Sequence, residues 1–158
     1  MTEYLDVDDI ININSKVLIK GEIHQVVNYS DLVFISDIVS RNFTNDIFKQ
    51  ATLLCIAVIA HHPFKEGNHR TSLTASITFL HINDFYYFGT NDDELNLHKW
   101  RFNYEEKNRL EQKWLSMIGD SYSHENAESN LLEFMENYYA KKIESYLKKF
   151  FKPKSVFS

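Results

Sequence analysis

From Ala51 to Ala60 the chain reads Ala-Thr-Leu-Leu-Cys-Ile-Ala-Val-Ile-Ala, apolar on nearly every helical face. A helix of that composition has to be covered on most sides, so it belongs at the centre of a bundle. Asp46 can cap its start, and the pattern predicts a helix from Ile47 to about His61. Pro63 and Gly67 interrupt the pattern at once. It resumes at about His69, with Leu73, Ile77 and Leu80 at i, i+4 and i+7. Upstream, Asp6 to Val17 carries apolar residues at helical spacing, and Ser30 or Asp31 can cap a helix running to about Arg41. Between them, Leu18 to Val27 alternates like extended chain around Gly21, as a hairpin or flap would.

Downstream, Phe85 to Phe88 reads as a short strand ended by Gly89. Asn91 or Asp92 can start a short helix through Trp100, and Asn103 with Glu106 resembles a capping box for Tyr104 to Ile118. From Ser123 the pattern predicts one long helix to about Lys149, with Leu131, Phe134, Tyr138 and Tyr146 among its apolar positions. Those aromatics suit core packing or a homodimer seam. The sum is mainly α. No repeat, low-complexity tract or linker divides the 158 residues, which read as a single domain with enough chain for a substantial core.

Composition changes this picture little. Gly and Pro number only four and two, which favours long helices over tight turns. A formal charge of −5 gives no reason to expect nucleic-acid binding, although residues 141–154 hold six Lys against Glu144. That cluster reads as a solvated helix end, favoured by the dipole at a C-terminus. Cys55 is alone, which excludes an intramolecular disulfide and a cysteine zinc cluster; within its apolar run it reads as a buried, inert thiol. The first nine residues are acidic rather than signal-like, and Leu53 to Ala60 falls far short of the ~20 residues of a membrane span. A soluble, cytoplasmic protein is the expectation.

The chemistry concentrates where the helical pattern breaks, in His62-Pro63-Phe64-Lys65-Glu66-Gly67-Asn68-His69-Arg70. A helix N-terminus offers unpaired backbone N–H groups and the positive end of a dipole, which attract phosphate. Gly67 allows a tight turn and a close backbone approach to an oxyanion. Asn68 adds a side-chain donor, and Arg70 can hold a phosphate with two hydrogen bonds. A cation in the first helical turn opposes the helix dipole, which favours a ligand role for Arg70. Glu66 is a hard oxygen ligand suited to Mg²⁺ against nucleotide phosphates. His62 is the group in the segment suited to proton abstraction near neutral pH.

This segment resembles the signature of the Fic/Doc (Fido) family, a His-x-Phe-x-acidic-Gly/Ala-Asn-x-Arg loop between two helices. By average residue usage, a chance match in a chain of this length is rarer than about one in ten thousand. With the flanking helices and the flap segment the resemblance spans about residues 4–90, followed by a C-terminal helical extension over about 103–150. It implies a mainly α, Fic-like helical bundle with a small β-hairpin flap and a long C-terminal helix. It also implies a transferase that moves a phosphoryl or AMP group from ATP, or another nucleoside triphosphate, with Mg²⁺, to a Ser, Thr or Tyr hydroxyl of a target protein. In that reading His62 is the general base, Phe64 anchors the loop, Glu66 binds Mg²⁺, Gly67 and Asn68 form the anion hole, His69 borders it, and Arg70 holds a distal phosphate. The flap around Lys20 to Val27 would dock the target by strand addition.

Two positions depart from the AMP-transferring pattern, which has Gly after the Asn and a second Arg three residues after the first. Here they are His69 and Leu73. The Doc-like (death-on-curing) branch shares both departures and continues as Arg70-Thr71 does, so the residues lean slightly towards γ-phosphoryl transfer. That branch also implies a toxin with an antitoxin partner. Pro63 and Gly67 look more like the AMP-transferring branch. Ser121 to Asn126 matches the family's inhibitory-helix pattern, which would make Glu125 inhibitory; a match by chance arises in about one chain in five, and the Arg it normally pairs with is missing.

Two other classes compete. Zinc chemistry from His61 or His62 with Glu66 and His69 has Pro63 against its helical geometry and no HExxH pattern for it. A non-catalytic module that binds nucleotide or phosphate would use the same loop without turnover.

Overall fold

A helix buried on nearly every side sets the architecture. In the computed structural model, which describes residues 1–41, 43–89, 103–121 and 127–157, this helix is α3, Ile47–His61. Every residue from Gln50 to Ala60 is buried. Around it pack α2 (Tyr29–Val39), α4 (Asn68–Ile82), α5 (Tyr104–Ser121) and α7 (Tyr138–Phe150), while α1 (Val7–Val17) lies against α4. A short α6 (Ala127–Phe134) packs on α5. The fold class is mainly α, as the sequence pattern predicts.

The α3–α4 contact is the most extensive, and small residues make it close. The buried Cys55 thiol lies against Ser72 and Ser76, and the buried Ser76 hydroxyl donates across the interface to the Ala51 carbonyl at 2.9 Å. On the opposite side Lys49 of α3 meets the buried Glu144 of α7 at 3.2 Å. A buried charge is tolerated there because it is paired.

Capping follows the sequence at α3 and α5, and α1 carries a capping box of its own. Asp6 and Asp9 form a capping box, Asp46 accepts from the Phe48 and Lys49 amides, and Asn103 with Glu106 form a second box. At α2 the cap is Asn28 rather than Ser30 or Asp31. Asn28 is still extended (φ −146°, ψ 92°), and its side chain accepts from the Asp31 amide.

Three local expectations change. The segment from Leu18 to Val27 does not fold back into a hairpin. It turns at Lys20-Gly21 and then runs extended, with one antiparallel bridge from Val26 to Phe64 of the motif loop. The small antiparallel sheet is instead β1 (Phe85–Tyr87) with β2 (Phe151–Pro153), tying the end of α4 to the end of α7. The long C-terminal helix is broken at 135–137. Asn137 ends α6 by donating to the Phe134 carbonyl and starts α7 by accepting from the Ala140 amide. The break moves burial one residue along: Tyr139 is buried, and Tyr138 stands 67% exposed. The short helix expected from Asn91 or Asp92 through Trp100 lies outside the described residues.

The remote end of α4 is stitched to both terminal segments. Asn83 exchanges two hydrogen bonds with the Glu3 backbone (2.8 and 2.9 Å), and the Lys154 amide donates to the Asp84 carbonyl at 2.7 Å.

Because α3 is covered all round, a void opened in it cannot be filled by a small shift of one neighbour. Ile56→Ala is expected to lower unfolding stability by about 2–5 kcal/mol, read from the urea midpoint at constant m-value; a loss under 1 kcal/mol would contradict that packing.

Candidate active site

The motif histidine sits where α3 ends. His62 is the C-cap residue, with φ 46° and ψ 57°, and its amide donates to the Val58 carbonyl at 3.2 Å. Glycine usually takes that left-handed position, since a side chain there costs about 1–2 kcal/mol. Pro63 disfavours the right-handed helical conformation for its predecessor. The chain thus accepts backbone strain at the motif histidine, a kind of strain that clusters at functional sites.

One carboxamide closes the loop that follows. The Phe64 amide donates to Asn68 Oδ1 at 2.9 Å, and Asn68 Nδ2 donates to the Phe64 carbonyl at 2.7 Å. The expected anion donor therefore spends its side chain on shaping the loop, leaving its backbone N–H for a ligand. Phe64 is 2% exposed, consistent with an anchor. Gly67 has φ 76°, and a Cβ there would lie 2.9 Å from Leu18 Cδ2 and 3.3 Å from Asn14 Nδ2. The close approach that Gly67 permits is to the end of α1.

Asn14 is the residue that sequence reasoning missed. Fully buried on α1, its Nδ2 donates to the Glu66 carbonyl (2.9 Å) and the Thr71 hydroxyl (3.0 Å). Its Oδ1 lies 2.8 Å from His24 Nδ1, so that nitrogen carries a proton and donates. One side chain thereby joins α1, the flap, the loop and α4. The available signal was a lone amide on the apolar face between Ile10 and Val17.

The flap covers the loop. The Lys65 amide donates to the Gln25 carbonyl and the Val27 amide to the Pro63 carbonyl, both at 2.9 Å. The Ile23 amide donates to the Glu66 carboxylate. Arg70 reaches back under the flap, donating to the Val17 carbonyl (2.7 Å) and to Glu22 Oε2 (2.6 Å). Hydrogen bonding from Arg70 holds the Glu22 carboxyl below the usual carboxylate range, and Glu22 raises the Arg70 guanidinium in turn. Glu22 is thus a second site residue that the pattern alone did not mark.

The helix α5 meets both adjacent histidines. Trp114 Nε1 donates to His61 Nε2 at 2.9 Å, so His61 carries its proton on Nδ1, 3.4 Å from Asp31. Burial pushes His61 below the ordinary histidine range, which leaves it neutral and structural. One turn earlier, Glu111 Oε1 lies 2.7 Å from His62 Nε2. His69 is half-buried in the first turn of α4, its carbonyl accepting from the Ser72 hydroxyl. Leu73, at the position of the second family Arg, is a core residue. Glu125 lies outside the described residues.

Among the described residues no three His, Cys, Asp or Glu side chains converge on a metal-sized site, so His61, His62, Glu66 and His69 do not form the zinc cluster considered from sequence. Mg²⁺ makes a different demand, one or two carboxylates completed by phosphate oxygens and water. Glu66 beside the start of α4 fits it.

A central apolar helix, a strained histidine at its end and a glycine-containing loop that opens the next helix make up the candidate site. The model of the Fic/DOC family matches residues 4–80, which supports a Fic/Doc family assignment. Members generally carry transferase activity with a nucleoside triphosphate co-substrate, and membership points to nucleotide-dependent modification of proteins. No curated protein and no solved structure matches the chain. No described helix is long and apolar enough to cross a membrane.

Two outcomes test this construction. Asn14→Leu strands three polar partners in a buried site, which should cost about 1–3 kcal/mol and raise amide exchange at Glu66 to Thr71; unchanged exchange would remove Asn14 as the hub. Burial lowers the folded pKa of His61, so its contribution is present above the ordinary histidine range and is lost as pH falls from there through the lowered folded value. Stability should drop from pH 7.5 to 5.5, and His61→Gln, which keeps an acceptor for Trp114, should flatten that drop in urea titrations.

Proposed function

We propose that the chain transfers a phosphoryl or AMP group from ATP to a hydroxyl of a target protein, with His62 as general base. The observation that carries this reading is the start of α4. Side chains cap α1, α2, α3, α5 and α7, whereas α4 has no side-chain cap and no acid in its first turn. Its first N–H groups, with Arg70 one turn in, form a phosphate cradle beside His62 and Glu66.

In the reaction the target hydroxyl gives its proton to His62 as its oxygen bonds to phosphorus. The phosphoanhydride bond breaks, and the leaving group, ADP or pyrophosphate, departs with the electron pair. Loop amides and Arg70 hold the phosphate oxygens, with a phosphate oxygen displacing Glu22 from Arg70. Glu66, released from the Ile23 amide, would hold Mg²⁺, which when bound supplies charge neutralisation on the phosphates. Exposed Ile19, Ile23 and Val27 along the flap support docking of an extended target segment there. His69 in place of glycine and the core role of Leu73 favour γ-phosphoryl transfer of the Doc-like kind.

Glu22 on Arg70 and the flap amide on Glu66 favour the second reading, a module that binds phosphate without turnover. Paired labelling of cell extract with α-³²P-ATP and γ-³²P-ATP separates the two. The wild type should label protein from the γ position; label from the α position alone would mean AMP transfer. His62→Gly, which relieves the left-handed strain, should keep stability within about 1 kcal/mol of wild type and abolish the label. Absence of His62-dependent label from either nucleotide would leave the binding module.

A further inference from the structure

We propose that Glu111 is a positioning residue for this reaction: by holding Nε2–H of His62 it makes Nδ1 the proton-accepting atom. The inference rests on the transferase reading above, and it places a working part of the site on α5, beyond the family-matched residues 4–80.

The geometry determines where the protons are. A carboxylate only accepts, so at 2.7 Å from Glu111 Oε1 the His62 Nε2 must be the donor. The neutral ring then has its lone pair on Nδ1, which makes no hydrogen bond among the described residues. Glu111 is held for the task. Trp114, one turn further along α5, is fully buried and bonded to His61, which pins the helix against the end of α3. Lys107, one turn before, lies 3.8 Å from the same Glu111 oxygen. The imidazole is 40% exposed and Glu111 22%, so the pair is open on the His62 side and shielded on the other.

The step balances without further reactants. The hydroxyl O–H breaks, its proton goes to Nδ1, and the oxygen forms the new P–O bond as the nucleoside triphosphate loses ADP or pyrophosphate. The imidazolium so formed keeps Nε2–H on Glu111, whose negative charge faces the new positive one. Holding the ring acts on proton transfer and leaves nucleotide binding alone, so the effect falls on kcat.

The test uses the full chain with Glu111→Ala, Glu111→Gln and wild type, each first shown to melt like the parent. In proton NMR with ¹⁵N-labelled histidine, wild type should show a downfield, slowly exchanging His62 Nε2–H resonance, assigned by its loss in His62→Gly. It should vanish in Glu111→Ala. Transfer should fall about 10- to 100-fold in kcat, part of what a positioned base contributes, with KM for ATP unchanged. Glu111→Gln, which retains an acceptor, should recover part of both. An unchanged resonance in Glu111→Ala, or a lost resonance with unchanged kcat, overturns the proposal. Absence of His62-dependent transfer in the wild type overturns the transferase reading and this role together; its appearance in the parent distinguishes it from a failure of Glu111 alone.

Discussion

The structure depends on the need to cover α3 on every side. A helix with eleven consecutive buried residues, Gln50 to Ala60, cannot lie at a surface, and each neighbouring helix exists in its place to exclude water from one face. That arrangement has a chemical consequence. The one end of α3 that meets the motif emerges among α2, α4 and α5, so the histidines that terminate it arrive already surrounded by other elements. His61 is absorbed by Asp31 and Trp114, and His62, forced into a left-handed turn, is left facing outwards. Adjacent identical residues are thus divided between structure and chemistry by packing alone.

The polar groups of the loop are satisfied from within. Asn68 bonds to Phe64, Glu66 to Ile23, Arg70 to Glu22 and Val17, and Asn14 underpins the whole. Buried and half-buried polar atoms need partners, and a loop that must receive a charged ligand needs partners that can be exchanged. The flap supplies them. On the proposed function, ligand entry is an exchange of one set of hydrogen bonds for another, and its net free energy is the difference between two similar terms.

The core and the site differ in how far the sequence exposes them. α1, α3, α4 and the capped starts of α3 and α5 follow from periodicity and cap residues, because local pattern and tertiary burial agree there. The motif residues were recognisable because they are contiguous. Asn14, Glu22 and Glu111 lie 52, 48 and 49 positions from the motif residues Glu66, Arg70 and His62 that they bond; a single polar side chain at such a distance carries no periodic signal. The break at 135–137 was hidden because Asn137 is compatible with a helix interior, and only its paired bonds reveal it. The flap alternates as a strand does, yet its partner is the loop rather than itself, a pairing that alternation cannot specify.

With a rise of about 1.5 Å per residue, α4 separates its two ends by roughly 22 Å. The motif loop opens one end, and Glu3 and Lys154 are fastened beside the other through Asn83 and Asp84. Polypeptide joined at either position leaves from the pole away from the loop. An affinity handle, a fluorescent fusion or a host protein carrying this domain as an insert would therefore stand clear of an approaching substrate. The nearness of the two attachment points would also spare the host most of the entropy of closing a long loop.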